Sequence, residues 1–158
     1  MGIPKELEAF WLKFASTVDG VLEDRFYEAF YFGDSGEMAA ELAALVLEGK
    51  KRATASALWT YESTGKPLPK IGDLSVITDF SGRPHCAIET TEISIVPFID
   101  VTEDFAAAEG EGDCSLGFWR DVHEVYFKRE CENAGREFDA SMPVVCERFE
   151  VVFVPDGA

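Results

Sequence analysis

Apolar residues recur at helical spacing in several parts of the chain. Leu7, Phe10, Trp11 and Phe14 fall at i, i+3, i+4 and i+7, which predicts an amphipathic helix near the N-terminus. A second apolar stripe lies between Ser35, a suitable N-cap, and Gly49, a suitable C′ residue. Further helices are predicted at residues 23–32, 52–64 and 100–108 (with Thr102 as cap), and a long one from Asp113 or Ser115 to residue 133.

Alternating apolar and polar residues predict three strands. They run from residue 74 to 80, from 85 to about 95, and from 144 to 154. Ser81–Pro84 has the composition of a hairpin connection, and Thr90–Thr91 is a suitable place for a bulge in the long second strand. Helices followed by strands, then helices and a final strand indicate an α+β domain.

Length and composition restrict the class of protein. A chain of 158 residues fits one domain, and no apolar run approaches the roughly 20 residues that span a bilayer. The first residues do not form a signal peptide, so we expect a cytoplasmic protein without membrane partners. Four widely spaced cysteines, Cys86, Cys114, Cys131 and Cys146, are expected to be reduced, and neither metal nor other cofactor is expected.

The formal net charge of −16 makes one basic segment conspicuous. Lys50, Lys51 and Arg52 are consecutive and account for three of only fourteen lysines and arginines. The acidity argues against duplex DNA, whose binding needs many neutralised phosphates, but it permits one nucleoside or a short strand in a local pocket. If a helix begins after Gly49, Lys51 and Thr54 share one of its faces. The plainer alternative is that the lysines stabilise the negative end of the preceding helix.

The order Gly49-x-Lys51 resembles the signature of the ASCH domain family, a PUA-like group associated with RNA and nucleoside ligands. The resemblance covers roughly residues 25–153 and implies a single ASCH domain over 1–158, with a helical extension at about 1–24. It also implies a small PUA-like β-barrel flanked by helices. The other segments that carry it are 32–35, 68–73, 88–91, 97–98, 109–113, 119–123 and 145–149.

The resemblance further implies amide hydrolysis on a modified nucleoside. Thr54 would be the nucleophile, Lys51 its base, and Glu89 the carboxylate that holds Lys51 or donates a proton. Glu92 lies on the same predicted strand and is the alternative carboxylate. A lysine serves as a base only if its pKa falls well below its usual value of about 10.4. The structural alternative is a salt bridge between Lys51 and Glu89, with Thr54 bonded to its own helix.

A second hypothesis is a ligand clamp in which aromatic rings stack a base and cations bind phosphate. The expected ligand is a nucleoside, a nucleotide or a short single-stranded RNA. The candidate clamp residues are Lys50, Arg52, Trp59, Tyr61, Trp119 and Arg120. Aromatic residues within helices are more often part of a core, which is the alternative for each of the three rings.

A third hypothesis concerns the acidic segment Glu109–Asp113. Glu109, Glu111 and Asp113, with His123, would bind a divalent cation in a metal-dependent single-strand ribonuclease. The simpler interpretation is that Asp113 caps the long helix. A non-catalytic RNA-binding module also stays open, as does a homodimer through Phe10, Trp11 and Phe14, although core packing is the favoured explanation of these three residues.

Overall fold

One mixed five-stranded sheet forms the centre of the molecule. The structure is a computed structural model that describes residues 3–20 and 22–155. From one edge to the other, the sheet contains β1 (Phe26–Phe30), β3 (Leu74–Thr78), β4 (Pro84–Pro97), β5 (Pro143–Phe153) and β2 (Ala53–Ala57). Only β1 and β3 are parallel. No ladder joins the edge strands β1 and β2 in the described ranges, so the sheet is not closed and agrees only roughly with the expected PUA-like barrel.

Within the described residues, five α-helices flank the sheet, which confirms the α+β class. They are α1 (Glu8–Ala15), α2 (Gly36–Leu47), α3 (Leu58–Thr64), α4 (Glu103–Glu109) and α5 (Leu116–Asn133). Ser35, Thr102 and Ser115 each accept a hydrogen bond from the backbone N–H three residues on, so these N-caps are confirmed. None of the helices in the described residues is long and apolar enough to cross a membrane.

The helix predicted at 23–32 is wrong, because this segment contains β1. The aromatic residues that suggested a helical period belong to a strand with an irregularity between Phe26 and Glu28, where its register against β3 shifts. A bulge breaks the two-residue alternation and places side chains out of phase, so a strand imitates a helix in the sequence. Aromatic residues are also typical of strands.

The helix predicted at 52–64 is also partly wrong. Residues 53–57 form β2, which pairs with β5, and only Leu58–Thr64 is helical. Ala53 and Ala57 face the core formed with α4 and α5, whereas Thr54 and Ser56 alternate with them. The sequence had suggested that Lys51 and Thr54 share one face of a helix. They do not, because Thr54 lies on a strand.

The remaining strands follow the sequence closely. The return strand β4 is longer than predicted, and its pairing with β5 shifts between Thr90 and Glu92, which confirms the expected bulge. This bulge bends β4 so that it pairs along nearly its whole length with β5.

Helices cover the sheet through three apolar clusters. The N-terminal helix α1 buries Phe10, Trp11 and Phe14 against β1, β3 and β5, with exposed fractions of 6%, 3% and 2%. These rings therefore belong to the core of the chain, and they do not form an exposed apolar face for the homodimer considered above. Helix α2 packs on β3, β4 and β5, and helices α4 and α5 pack on β2 and β5.

Candidate functional site

The basic segment forms a short connection between α2 and β2 that is held on three sides. Gly49, with a φ of 80°, ends α2, and the N–H groups of Lys50 and Lys51 both donate to the Leu45 carbonyl oxygen. The Arg52 N–H then donates to the carbonyl of Ala108 in α4, at 2.6 Å. The Arg52 carbonyl accepts from Phe149 in β5, so this segment connects α2, α4 and β5.

Gly110 allows the α4–α5 loop to lie directly against this segment. Its φ is 70°, and a β-carbon at this position would lie 2.1 Å from the Lys50 carbonyl oxygen. Only glycine permits this approach, because any side chain would overlap with the backbone. The acidic loop is thereby brought onto the basic segment.

Lys51 lies at the centre of a buried ionic cluster. Its side chain is 1% exposed, and its Nζ lies 2.8 Å from Glu109 Oε1 and 2.7 Å from Glu111 Oε2. The ammonium also donates to the Ala53 carbonyl oxygen, at 3.0 Å, and lies 5.0 Å from the centre of the Phe32 ring. Burial disfavours the charged form, but the two carboxylates outweigh this effect and raise the pKa of Lys51 above its ordinary value.

Glu109 connects this cluster to α5. Its Oε2 accepts a hydrogen bond from Trp119 Nε1, at 2.7 Å, and lies 3.2 Å from Nε2 of His123. The His123 ring stacks on Trp119 with a centroid distance of 4.2 Å. Burial opposes the ionisation of Glu109, but the Lys51 charge and the His123 hydrogen bond prevail and hold its pKa at about 2. Lys51 and Glu109 are therefore a charged pair at neutral pH.

Neither of the predicted carboxylates, Glu89 or Glu92, forms an ion pair with Lys51. Glu89 forms an ion pair with Arg25, at 3.2 Å, and the alternative Glu92 pairs with Arg148, at 3.3 Å. Lys51 instead pairs with Glu109 and Glu111, 58 and 60 residues further along the chain. The acidic loop had been noticed in the sequence, but as a metal site or a helix cap, and nothing local connects it to Lys51.

Thr54 lies on β2, directly opposite Glu147 of β5. Its side chain is half-buried, and no hydrogen-bond partner of its hydroxyl is found in the part of the chain that the structure describes. The Lys51 ammonium is bonded to Glu109, Glu111 and backbone carbonyls, and not to Thr54. The structure thus does not join Lys51, Thr54 and Glu89 into one hydrogen-bonded unit.

The three predicted clamp cations have different surroundings. Lys50 is exposed and pairs with Glu48 at 3.5 Å. Arg52 is exposed and lines a surface cavity. Arg120 donates to the Ile99 carbonyl oxygen, at 2.9 Å, and has a buried Nε. Arg52 is therefore the cation best placed for a ligand.

The three predicted clamp aromatics are mostly structural. Trp119 is 3% exposed and belongs to the core cluster of α4 and α5. Trp59 packs against the same cluster, and the Arg136 guanidinium lies 4.5 Å from the centre of its ring. Tyr61 is 9% exposed, and its hydroxyl lies 2.8 Å from the Ser56 hydroxyl.

A cavity of about 470 Å³ opens beside the basic segment. Gly49, Lys51 and Arg52 line one side, and Arg148 and Phe149 of β5 line another. The remaining lining residues are Val46, Leu47, Glu48, Thr91, Glu150 and Val151. The volume lies in the range of small-molecule sites, and the wall contains two arginines and two glutamates beside apolar side chains.

The acidic loop is not arranged as a metal site. Glu109 and Glu111 both bind Lys51, and Asp113 accepts from the Ser115 backbone N–H at 2.9 Å. Within residues 3–20 and 22–155, no group of three His, Cys, Asp or Glu side chains is suitably placed to hold a metal ion. The four cysteines are free, as expected.

A polar cluster near Thr54 was missed by sequence reasoning. The Glu147 carboxylate accepts a hydrogen bond from the Thr90 hydroxyl, at 2.7 Å, and Ser56 and Tyr61 form the adjacent pair. The Lys66 ammonium lies 2.6 Å from the Glu28 carboxylate. It also lies 5.2 Å from the centre of the Tyr27 ring and 5.5 Å from that of Tyr61. The alternating pattern of the last strand already placed Glu147 and Phe149 on one of its faces. The position of this face opposite β2 could not be inferred, because β2 had been predicted as part of a helix.

Comparison with known proteins identifies relatives of this fold. A family model described as the ASCH domain matches residues 28–153. The solved ASCH domain of Lactobacillus crispatus is 37% identical, with a TM-score of 0.87 and 96% of each chain covered. A protein from Enterococcus faecalis is 35% identical, with a TM-score of 0.84, and the comparison covers 96% of this chain and 91% of the other. No protein with a curated description matches the chain.

Proposed function

The chain belongs to the ASCH domain family, a family associated with RNA binding, and we propose that it binds a nucleoside, a nucleotide or a short single-stranded RNA segment. The observation that carries this proposal is the cavity of about 470 Å³ formed by the Gly49–Arg52 segment and β5. Arg52 and Arg148 bind the anionic or acceptor groups of the ligand, and the apolar wall contacts the base or sugar.

The charges of the cavity favour a small ligand over a long nucleic acid. Glu48 and Glu150 also line it, and the formal net charge of the chain is −16. Long strands are held by many phosphate contacts, which this surface does not offer. A single nucleotide needs only one or two cations, and Arg52 and Arg148 provide them.

Lys51 supports the site structurally and does not itself bind the anionic groups of the ligand. Its ammonium is buried and already paired with Glu109 and Glu111, so it fixes the loop that forms the cavity wall. Replacing Lys51 would leave two carboxylates without their cation, which would disturb the fold as well as the ligand. Arg52 is consequently the residue to replace in a binding test.

Binding is tested by titrating nucleosides, nucleoside monophosphates and short RNA oligomers into wild type, Arg52→Ala and Lys50→Ala. Lys50 is the matched control, because it is an adjacent exposed cation that does not line the cavity. We expect Arg52→Ala to weaken nucleotide binding about ten-fold or more, and Lys50→Ala to have little effect. Absence of binding to wild type, or equal losses in both variants, would contradict the proposal.

Hydrolysis of an acylated nucleoside is the second candidate function, and the free hydroxyl of Thr54 is the observation that favours it. Lys51 is not its base, because the pKa of Lys51 is raised rather than lowered. Lys51 instead contributes a fixed positive charge. The Thr54 oxygen would bond to the acyl carbon, the C–N bond to the nucleoside would break, and the Thr54 proton would pass to the departing amino group. Water would then hydrolyse the Thr54 ester and release the acid.

Two variants test this candidate. Thr54→Ala should abolish turnover of acylated nucleosides, whereas Thr54→Ser, which restores a hydroxyl, should retain much of it. Unchanged turnover in Thr54→Ala would remove the hydroxyl from the mechanism. If no acylated nucleoside is consumed while nucleotides still bind, the protein is a binding module.

A further inference from the structure

Glu147 is a largely buried carboxylate, and no cation among the described residues contacts it directly. Its Oε2 accepts from the Thr90 hydroxyl at 2.7 Å. Neither a donor to Oε1 nor a salt bridge of Glu147 is found among the described residues. The side chain lies near the centre of β5, where β4 and β2 flank it.

The second carboxylate oxygen of Glu147, Oε1, is not among the fully buried atoms and is therefore open to a hydrogen-bond donor of a ligand. Burial raises the pKa of Glu147, and the charges of Glu28 and Asp73 raise it further, against the opposing effects of the Thr90 hydrogen bond and the Lys66 charge. Lys66 and Lys70 are close to Glu28 and Asp73, respectively, and pair with them instead. A buried carboxylate in this situation gains free energy from any N–H donor that reaches it.

The groups around Glu147 are hydroxyls and aromatic rings. Thr54 lies directly across from it with a free hydroxyl, and Ser56, the next residue on the same face of β2, is bonded to Tyr61. Cross-strand neighbours of this kind have β-carbons about 4.5–5.5 Å apart. The cluster therefore presents one carboxyl acceptor beside neutral hydroxyls, which suits the polar edge of a heterocyclic base.

Glu147 does not itself line the proposed nucleotide cavity, but it lies close to residues that do. Phe149, which lines the cavity, follows Glu147 by two residues on β5, a separation of about 7 Å along the strand. Arg52 precedes Thr54 by two residues in the facing segment. One nucleotide is long enough to bridge two positions at this separation, with its phosphate near Arg52 and its base near Glu147.

We infer that Glu147 is a specificity-determining residue that accepts a hydrogen bond from an exocyclic amino group of the bound base. The site then prefers cytosine and adenine, which carry such a group, over uracil and hypoxanthine, which carry a carbonyl oxygen in its place. The inference rests on the proposed nucleotide-binding function and adds the class of base.

The experiment uses matched ligand pairs and matched variants of the full chain. Cytidine and uridine 5′-monophosphates form one pair, and adenosine and inosine 5′-monophosphates form the other. Dissociation constants are measured by calorimetry for wild type, Glu147→Gln and the control Glu132→Gln, which makes the same change at an exposed position of α5. Thermal melting verifies that each variant is folded.

We expect wild type and Glu132→Gln to bind the amino-bearing member of each pair about ten-fold more tightly. Glu147→Gln should bind both members alike, because its amide can donate as well as accept. If Glu147→Gln does not fold, Thr90→Val serves instead, since it removes the hydroxyl that orients the carboxylate and should reduce the preference.

The possible failures are distinguishable. Equal binding of both members by wild type, or an undiminished preference in the folded Glu147 or Thr90 variant, overturns the role of Glu147 and leaves nucleotide binding intact. Failure of all four nucleotides to bind wild type up to millimolar concentration overturns the proposed function itself, and the inference with it.

Discussion

The Nζ atom of Lys51 lies 2.8 Å from Oε1 of Glu109, and both side chains are almost completely removed from solvent. This pair joins the basic segment after α2 to the end of α4. Because Glu109 also contacts Trp119 and His123, the pair connects the edge of the sheet to α5. The shape of the cavity wall therefore depends on a contact inside the protein.

Lys51→Ala should destabilise the fold strongly. Removing the ammonium leaves Glu109 buried without its cation, and the loss of one partner of such a pair costs about 3–5 kcal/mol. The free energy of unfolding, measured with urea, should fall by this order. Lys50→Ala, one residue away and exposed, should change it by less than about 0.5 kcal/mol. Similar values for the two variants would contradict the structural role of Lys51.

The stability should depend on pH through the same cluster. The pKa of Glu109 is lowered from 4.5 in the unfolded chain to about 2 in the folded protein, so its contribution is complete above pH 4.5 and is lost as the pH falls from there toward 2. The pKa of Lys51 is raised from 10.5, so its contribution is complete below pH 10.5 and is lost as the pH rises above this value.

Unfolding of wild type and Glu109→Gln across this pH range measures the effect. The difference in unfolding free energy between the two proteins should be constant near neutral pH and shrink below pH 4.5. A difference that stays constant down to pH 2 would show that Glu109 has an ordinary pKa in the folded protein.

Gly110→Ala should displace the acidic loop from the basic segment. Its added β-carbon would meet the Lys50 carbonyl oxygen, and its φ of 70° is itself unfavourable for alanine. Gly65→Ala is the matched control, because Gly65 ends α3 with a φ of 72° and has open space around it. The control should cost about 1–2 kcal/mol through the backbone alone, and Gly110→Ala clearly more. Equal costs would contradict the close approach.

Any hydrolytic activity should survive a chelator. Glu109 and Glu111 bind Lys51, and Asp113 accepts the backbone N–H of Ser115 just before α5, so the carboxylates of the acidic loop are not grouped as a metal-dependent ribonuclease would require. Activity on acylated nucleosides and on single-stranded RNA is measured with and without EDTA, in wild type and Asp113→Asn. A sharp loss of activity both in the presence of EDTA and in Asp113→Asn would restore the metal-dependent alternative.

Local features of the chain were predictable from its sequence. The helix with Phe10, Trp11 and Phe14, the caps Ser35 and Thr102, and the bulge near Thr90 all follow from interactions within a few residues. Periodicity and capping act over such short distances and leave a direct trace in the order of residues. The basic segment that contains Lys51 and Arg52 was likewise visible in the sequence alone.

Tertiary structure decided what the local pattern could not contain. Residues 26–30 and 53–57 have helical features, but pairing with β3 and β5 makes them strands, because ladder hydrogen bonds and packing outweigh a weak local preference. The partner of Lys51 could not be read from the sequence for the same reason. Glu89 and Glu109 are both remote from Lys51 along the chain, and only the approach of Gly110 to Lys50 brings Glu109 to its ammonium.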